Sequence, residues 1–141
     1  MKRIIHVVDV KAERDRVYTA LTTHRGLTGW WTTDVTADTT VGGRIDFRFG
    51  TVFNAQMRIA ALEPVRRVEW KGVGGEQAWL ENRFIFDLGE RNGMTLLTFT
   101  QDYARELDDE TYGRFNFNWG YYLESLREFC ETGTGFPFGA K

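Results

Sequence analysis

A long amphipathic stretch near the end of the chain, residues 108–132, constrains the fold more than any other feature. Its apolar side chains recur three and four positions apart, which is typical of one broad helical face. This face comprises Tyr112, Phe115, Trp119, Tyr122, Leu123, Leu126, Phe129 and Cys130. Asp108 or Asp109 is placed to cap the start, and Gly133 to end the helix in a left-handed turn. At about 1.5 Å per residue the rod is long enough to cross a small sheet, and we predict that it does.

Most of the remaining chain predicts β-strands. Six segments combine β-branched and aromatic residues, most of them with alternating polarity, and turn residues separate most of them. They are residues 2–10, 44–49, 53–62, 65–73, 79–88 and 95–103. Asn92 and Gly93 give a strong hairpin signal between the last two. Consecutive strands joined by tight turns favour an antiparallel meander, and therefore an α+β fold with a curved sheet of about six strands.

The other segments are predicted from local patterns. Residues 12–22 have helical spacing, and residues 22–33, broken by glycines, form a turn or a short helix. Residues 34–41 are polar and threonine-rich, which predicts a loop. Residues 134–141 are expected to be mobile or loosely packed. The chain has no repeat or linker, so residues 1–141 are predicted to form one domain.

Composition limits the classes of partner. The net charge is −2 and Arg66–Arg67 is the largest basic cluster, so no nucleic-acid partner is expected. One cysteine and two distant histidines make a poor metal site, and no metal or other cofactor is expected. No apolar run reaches the ~18 residues of a membrane span, and the start lacks a signal-peptide core. A reducing, cytoplasmic setting fits this composition.

Catalytic motifs are absent from the sequence. The only serine, Ser125, lies on the long helix and outside any nucleophile elbow. Cys130 lies on the apolar face of that helix, which is typical of a small buried hydrophobe. His6 and His24 have no neighbour in sequence that would make either a base. No catalytic residue is therefore predicted, and binding is favoured over an enzymatic role, which stays undecided.

The high aromatic content, 15%, permits two interpretations. Rings on a curved sheet and a covering helix can line an apolar cavity, or they can simply fill the interior, and periodicity does not distinguish these. Asn82, Gln101 and Asn116 occur in the apolar register and would orient a ligand, although each could equally bond to the protein. The predicted ligand-binding residues are Trp30, Trp31, Phe47, Phe49, Met57, Trp70, Asn82, Phe84, Phe86, Phe99, Gln101, Tyr112, Asn116, Trp119, Tyr122 and Leu123.

Several short blocks of the sequence are informative through their order and spacing. The most specific is Gly26–Leu27 followed by Trp30–Trp31. The others are Val17 to Thr22, Val41 to Gly43, Leu62 to Pro64, Val68 to Trp70, Thr95 to Thr100, and Trp119 to Leu123 with Leu126. Together these blocks resemble the START-like (helix-grip) superfamily, and within it the domain of activators of the Hsp90 ATPase. Tyr18 replaces the usual Trp, and Gln101 stands where many relatives have His.

The resemblance implies a sheet that grips the last helix around an apolar cavity, but it does not imply one activity. Binding of a small hydrophobic molecule or a lipid is the first hypothesis. The second is a chaperone partner, that is, a module similar to an Hsp90 ATPase activator. The third is a cyclase or hydrolase that uses the same cavity, with Tyr112, Tyr122 and Arg83 as the few titratable candidates. An exposed ring patch would also support a homodimer.

Overall fold

The computed structural model describes residues 2–140. Its elements in chain order are β1 (Arg3–Val10), α1 (Arg14–Thr22), α2 (His24–Trp30), β2 (Asp34–Ala37), β3 (Arg44–Phe49), β4 (Phe53–Glu63), β5 (Arg67–Gly75), a 3₁₀ turn (Gln77–Trp79), β6 (Arg83–Arg91), β7 (Met94–Asp102) and α3 (Asp109–Thr132). The predicted α+β fold with a long last helix is confirmed.

The described strands form one antiparallel sheet in the order β1-β7-β6-β5-β4-β3-β2. Strand β1 therefore pairs with the last strand, while the others follow one another as a meander. The pairing of β4 with β5 shifts register at Gln56/Met57 and again at Ile59/Ala61. Such bulges bend a strand and increase its twist, and they help the sheet to curve around α3.

Helix α3 begins and ends as its capping residues predict. The Asp108 carboxylate accepts a hydrogen bond from the Thr111 backbone N–H, at 3.0 Å. Gly133 closes the helix in the left-handed conformation, with φ 89°. The face that packs inward buries Trp119, Leu123, Ser125, Leu126 and Cys130. Capping therefore fixes the length of the helix, and the apolar face fixes its orientation on the sheet.

Three local predictions are wrong. Residues 34–37 form strand β2 instead of a loop, because Val35 faces the core opposite Phe47 and threonine suits an extended chain. The predicted strand at 79–88 is displaced, since Trp79 lies in the 3₁₀ turn and β6 starts only at Arg83. Residues 134–140 of the tail are held in place instead of being loose, since Phe138 forms a backbone bridge with Thr32, while Lys141 lies outside the described residues.

Two short helices cover part of the concave side of the sheet. Helix α1 packs on β5, β6 and β7, whereas α2 packs on β2 and α3. Gly26 lets the two helices approach closely, because an added Cβ would lie 2.5 Å from the Ala20 Cα. The Trp30 indole N–H donates to the Ala20 carbonyl at 3.0 Å, which ties α2 to α1. The interior beneath these helices is filled by side chains.

Ion pairs cross the convex side of the sheet. Glu69 on β5 accepts hydrogen bonds from Arg83 at 2.9 and 3.1 Å and from Arg67 at 3.1 Å. Asp102 on β7 pairs with Arg3 at 2.6 Å and with Arg83 at 3.9 Å. The charges thus lie on the solvent face of the sheet, opposite the aromatic interior.

Candidate functional site

An open pocket of about 200 Å³ lies where the β3–β4 hairpin, α3 and the C-terminal tail meet. The hairpin turns at Gly50, which has φ 60°, and carries Val52 at its tip. The lining residues are Trp31, Phe49, Val52, Phe53, Trp79, Phe115, Asn118, Trp119, Tyr122 and Phe138. The site therefore lies between Trp119 and the sheet, on the side that α1 does not cover.

Three indole rings lie nearly parallel in the wall of this pocket. The centroids of Trp31 and Trp79 are 6.3 Å apart with the planes inclined by 20°, and those of Trp79 and Trp119 are 5.8 Å apart at 18°. Trp31 and Trp119 approach to 5.0 Å at 30°. All three side chains are buried. Because their positions are fixed by packing on several neighbours, the wall is a rigid aromatic surface.

Within the described residues 2–140, no charged side chain lines the pocket. Its polar groups are the Asn118 amide, on an exposed position of α3, and the Tyr122 hydroxyl. Burial raises the pKa of Tyr122, so its hydroxyl is neutral at physiological pH. The Trp119 indole N–H is directed elsewhere, since it donates to Gln101 Oε1 at 2.8 Å. The pocket thus offers apolar rings with two neutral polar groups.

Four of the predicted ligand-binding residues line this pocket: Trp31, Phe49, Trp119 and Tyr122. They come from the end of α2, from β3 and from α3, which the fold brings together. Their role in binding a ligand stays a prediction. Only these four of the predicted residues lie in its wall.

The twelve other predicted residues lie outside the pocket wall. Eight of them are apolar and fully buried: Trp30, Phe47, Met57, Trp70, Phe84, Phe86, Phe99 and Leu123. They fill the interior in close ring contacts, such as that of Phe86 with Phe99 at 5.0 Å and with Trp70 at 4.9 Å. The space-filling interpretation therefore describes this part of the molecule, and these eight serve as core in the structure.

The four polar or amphipathic predictions bond to the protein itself. Gln101 Nε2 donates to Asn82 Oδ1 at 2.9 Å, and Asn82 Nδ2 donates to the Leu80 carbonyl at 3.2 Å. Together with Trp119 they form a buried chain of hydrogen bonds. Tyr112 donates its hydroxyl to the Arg3 carbonyl at 2.8 Å. Asn116 lies on the surface of α3, 3.0 Å from the His6 ring. These contacts explain polar residues in the apolar register without a ligand.

Six lining residues were not among the predicted set: Val52, Phe53, Trp79, Phe115, Asn118 and Phe138. On α3, Phe115, Asn118, Trp119 and Tyr122 follow the spacing i, i+3, i+4 and i+7, which is a signal that could have found two of them. Val52 and Phe53 follow the hairpin turn. Phe138 belongs to the tail, where the sequence gives no comparable signal.

Other reactive groups lie outside the pocket. Burial raises the pKa of the Cys130 thiol to about 12, which keeps it protonated and unreactive. Burial likewise raises the pKa of Tyr103. Among residues 2–140 no cluster of three or more His, Cys, Asp or Glu side chains could hold a metal ion. A larger depression of about 990 Å³ beside α1 and the end of α3 is lined largely by polar and charged side chains.

Fold and pocket together define a class of protein. A curved antiparallel sheet holds a long C-terminal helix, with a ring-lined pocket between them, as in the helix-grip proteins of the START-like superfamily. Residues 11–131 match the sequence profile described as Activator of Hsp90 ATPase homolog 1-like protein. The chain belongs to this family.

Solved structures agree with that assignment. The chain is similar to the Aha1 dimer from Colwellia psychrerythraea, with 31% identity over 96% of this chain and 100% of that chain and a TM-score of 0.86. It also resembles MLL2253 from Mesorhizobium loti, with 18% identity over 90% and 95% of the two chains and a TM-score of 0.77. CalU16 from Micromonospora echinospora has 22% identity over 93% and 77%, with a TM-score of 0.73.

Two further searches gave negative findings, one among curated proteins and one among the helices of this chain. No curated protein sequence matches the chain significantly. Within residues 2–140, none of the helices has the length and apolarity that crossing a membrane requires.

Proposed function

We propose that the chain binds a small, neutral ring compound in the pocket between α3 and the β3–β4 hairpin. The observation that carries this proposal is an open pocket of about 200 Å³ whose lining, among residues 2–140, consists mainly of rings and includes no charged side chain. An apolar cavity of ~150 Å³ accepts benzene, so this pocket suits one or two fused rings. The rings of the lining offer such a ligand edge and face contacts of the kind that aromatic groups prefer.

The polarity of the wall supports a neutral ligand. A charged group placed here would lose its hydration without gaining an ion-pair partner, which is costly in an apolar site. Asn118 can both donate and accept, and the neutral Tyr122 hydroxyl can do the same. A ligand with one hydroxyl or carbonyl group could form a hydrogen bond with either side chain, so the site can bind a polar group without a charge. The single buried cysteine, Cys130, suits the reducing cytoplasm that we propose as its setting.

The first experiment compares two probes of the same ring and different charge. 2-Naphthol and 2-naphthalenesulfonate are titrated into the protein while tryptophan fluorescence is followed, since three indoles line the pocket. We expect saturable quenching by 2-naphthol and at least tenfold weaker binding of the sulfonate. The proposal would be contradicted if both probes bound equally well or if neither probe bound. Native mass spectrometry of protein purified from its own host tests for a retained natural ligand.

A variant that fills the mouth tests the location. Val52 is 79% exposed at the hairpin tip and lines the pocket, so Val52→Trp can add bulk at the mouth without disturbing the core. We expect loss of 2-naphthol binding. Val41→Trp is the matched control, because Val41 is equally apolar, is 61% exposed and lies away from the pocket. Unchanged binding in Val52→Trp would place the probe elsewhere.

Activation of a chaperone ATPase is the second candidate function, and family membership supports it. The test is a pull-down with Hsp90 from the same host, together with its ATPase rate at saturating amounts of this protein. Co-purification and a faster rate would support the candidate. If the protein neither co-purifies with Hsp90 nor raises its ATPase rate, this candidate is contradicted and ligand binding remains the proposal.

Self-association is a further proposal about partners. The similar Colwellia psychrerythraea protein is a dimer. In the present chain, Phe117 is 75% exposed on α3, and Tyr121 lies one turn further on the same face, half exposed. Sedimentation velocity of the wild type and of Phe117→Ser tests whether this face pairs, with Val41→Ser as the control. A wild-type monomer at all concentrations would contradict the proposal.

A further inference from the structure

The C-terminal strap, defined here as residues 134–140, crosses the end of α2 and reaches the pocket. It leaves α3 at Gly133 and then forms few backbone hydrogen bonds with the rest of the molecule. Phe138 N–H donates to the Trp31 carbonyl at 2.9 Å, and Thr33 N–H donates to the Phe138 carbonyl at 3.0 Å. The backbone hydrogen bonds between the described strap residues and the backbone before residue 134 are therefore concentrated at Phe138, and the strap adds no strand to the sheet.

Ser125 joins this strap to two helices. Its hydroxyl is fully buried on the inner face of α3. The oxygen donates its hydrogen to the Trp30 carbonyl at the end of α2, at 2.8 Å, and accepts the Phe136 N–H, also at 2.8 Å. The only serine of the chain thus satisfies one orphan carbonyl of α2 and one backbone N–H of the strap.

Gly135 shows how closely the strap is inserted. A Cβ at this position would lie 2.6 Å from the Gly29 carbonyl oxygen of α2 and 2.8 Å from the Ser125 hydroxyl oxygen. These distances are too short for any side chain, so the strap fits between α2 and α3 only because residue 135 is glycine. The seat of the strap is therefore specific.

Phe138 brings the strap into the pocket wall. Its ring lies edge-on to Phe49, with centroids 5.6 Å apart, and remains 38% exposed. The indoles of the wall are buried and anchored in the core. Phe138 is thus a lining ring that belongs to the strap, which is part of neither the sheet nor α3.

We propose that the strap is a lid at the mouth of the pocket, and that Ser125 is the positioning residue that holds it in its seat, where Phe138 narrows the mouth. The inference rests on the proposed function, because a lid requires a ligand to admit. A ring compound passes the narrowed mouth when the Ser125 and Trp31 hydrogen bonds of the strap break, and Phe138 then returns to its seat beside the bound ring. Because opening precedes both uptake and release, the lid sets both rates.

Stopped-flow tryptophan fluorescence with 2-naphthol tests this inference. Ser125→Ala removes the hydroxyl without touching the pocket wall. We expect the association and dissociation rates to rise together by about fivefold, which is the effect of one lost hydrogen bond, with Kd unchanged. Gly135→Ala should act in the same direction. The matched controls are Thr28→Ala, whose hydroxyl bonds only within α2, and Gly113→Ala, where an added Cβ meets no atom within 4 Å.

Removal of the ring that the lid contributes to the pocket wall should give a different result. Phe138→Ala removes ring contact as well as the cover, so its dissociation rate should rise more than its association rate. If Ser125→Ala and Gly135→Ala bind with wild-type rates, the lid is overturned and the pocket proposal stands. If wild-type protein binds no 2-naphthol, the pocket proposal fails first, so the two failures are distinguishable.

A covalent lock covers the case in which Ser125→Ala does not fold. An added Cβ at Gly139 would lie 3.7 Å from the Thr33 Cβ, which suits a disulfide. The paired substitutions Thr33→Cys and Gly139→Cys should therefore fasten the strap, although Gly139 has φ 86° and the bond must offset that conformation. Oxidation should slow 2-naphthol association at least tenfold, and reductant should restore it. Equal rates in both redox states would overturn the lid.

Discussion

Two regions of the concave side have similar composition and different outcomes. Beneath α1 and α2, rings such as Trp70, Phe86 and Phe99 are fully buried and leave no open space. Between α3 and the β3–β4 hairpin, rings such as Phe49, Phe53 and Phe115 surround an open pocket instead. We refer to these as the closed region and the open region. Aromatic content alone therefore does not decide whether a cavity forms.

The difference lies in what covers each region. Two helices cover the closed region, and they insert Val17, Leu21 and Leu27 into the core. Beside α3, the open region has only the hairpin tip and the strap, which places one ring, Phe138, at the mouth. Each of the helices α1 and α2 buries three residues in the interior, whereas the strap contributes one ring to the pocket. The type of covering element thus determines where the fold stays hollow.

The largest expected effect compares the same substitution in the two regions. Phe86→Ala should cost about 3–5 kcal/mol of unfolding free energy, because it leaves a cavity in a fully packed core. Phe138→Ala should cost about 1 kcal/mol or less, since that ring is partly exposed and borders empty space. Urea unfolding with equal m-values measures both.

This pair of variants can also break the comparison. If Phe138→Ala destabilises the protein as much as Phe86→Ala, the open region is packed as tightly in solution as the closed region. If both variants cost little, the closed region must be able to collapse around the missing ring. Either result would show that the cover does not determine packing.

The second expected effect concerns the buried chain of hydrogen bonds between the two regions. Gln101→Met keeps the volume but leaves the Trp119 indole N–H without its acceptor and Asn82 Oδ1 without its donor. The cost should be about 1–3 kcal/mol, the penalty for an unsatisfied buried polar group. Gln56→Met, at a half-buried position of β4, is the control and should change little.

A water molecule that replaced the Gln101 amide would reduce this penalty. In that case Gln101→Met and Gln56→Met would unfold at the same urea concentration. The polar chain would then be a tolerated feature of the core and would not divide the closed region from the open one.

The sequence predicts the elements of this fold well, because each has a local cause. Capping by Asp108 and Gly133 marks the last helix, and alternation marks strands such as β3. Strand β2 was missed because it is only four residues long and depends on pairing with β3. Pairing is a tertiary contact, which local pattern does not contain.

The candidate site was predictable only in part. The periodicity that selects Trp31 and Trp119 for the pocket selects Phe86 and Phe99 as well, because all of them face inward. Which inward rings border a void depends on the volumes of all their neighbours and on the cover above them. Phe138 reaches the pocket through the fold of the tail, so no spacing within the sequence connects it with the other lining residues.

The smallest expected effect separates the two regions by pH. Glu69 lies on the convex side of the sheet, and hydrogen bonds from Arg83, with those from Arg67, lower its pKa below the ordinary 4.5. A lowered pKa in the folded state stabilises the fold above pH 4.5, and this contribution is lost as the pH falls through the folded-state pKa. The free energy of unfolding measured with urea should thus fall between about pH 6 and about pH 3, and Glu69→Gln should reduce this fall.

Binding in the open region should not follow that dependence. None of the described residues that line the pocket is charged, and 2-naphthol stays neutral throughout this range, so its Kd should be the same at about pH 7 and about pH 4.5 while the protein is folded. Glu69→Gln should leave that Kd unchanged as well, because residue 69 lies on the opposite face of the sheet. A Kd that rises on acidification in the wild type, and not in Glu69→Gln, would mean that the charged face and the pocket are coupled through the sheet.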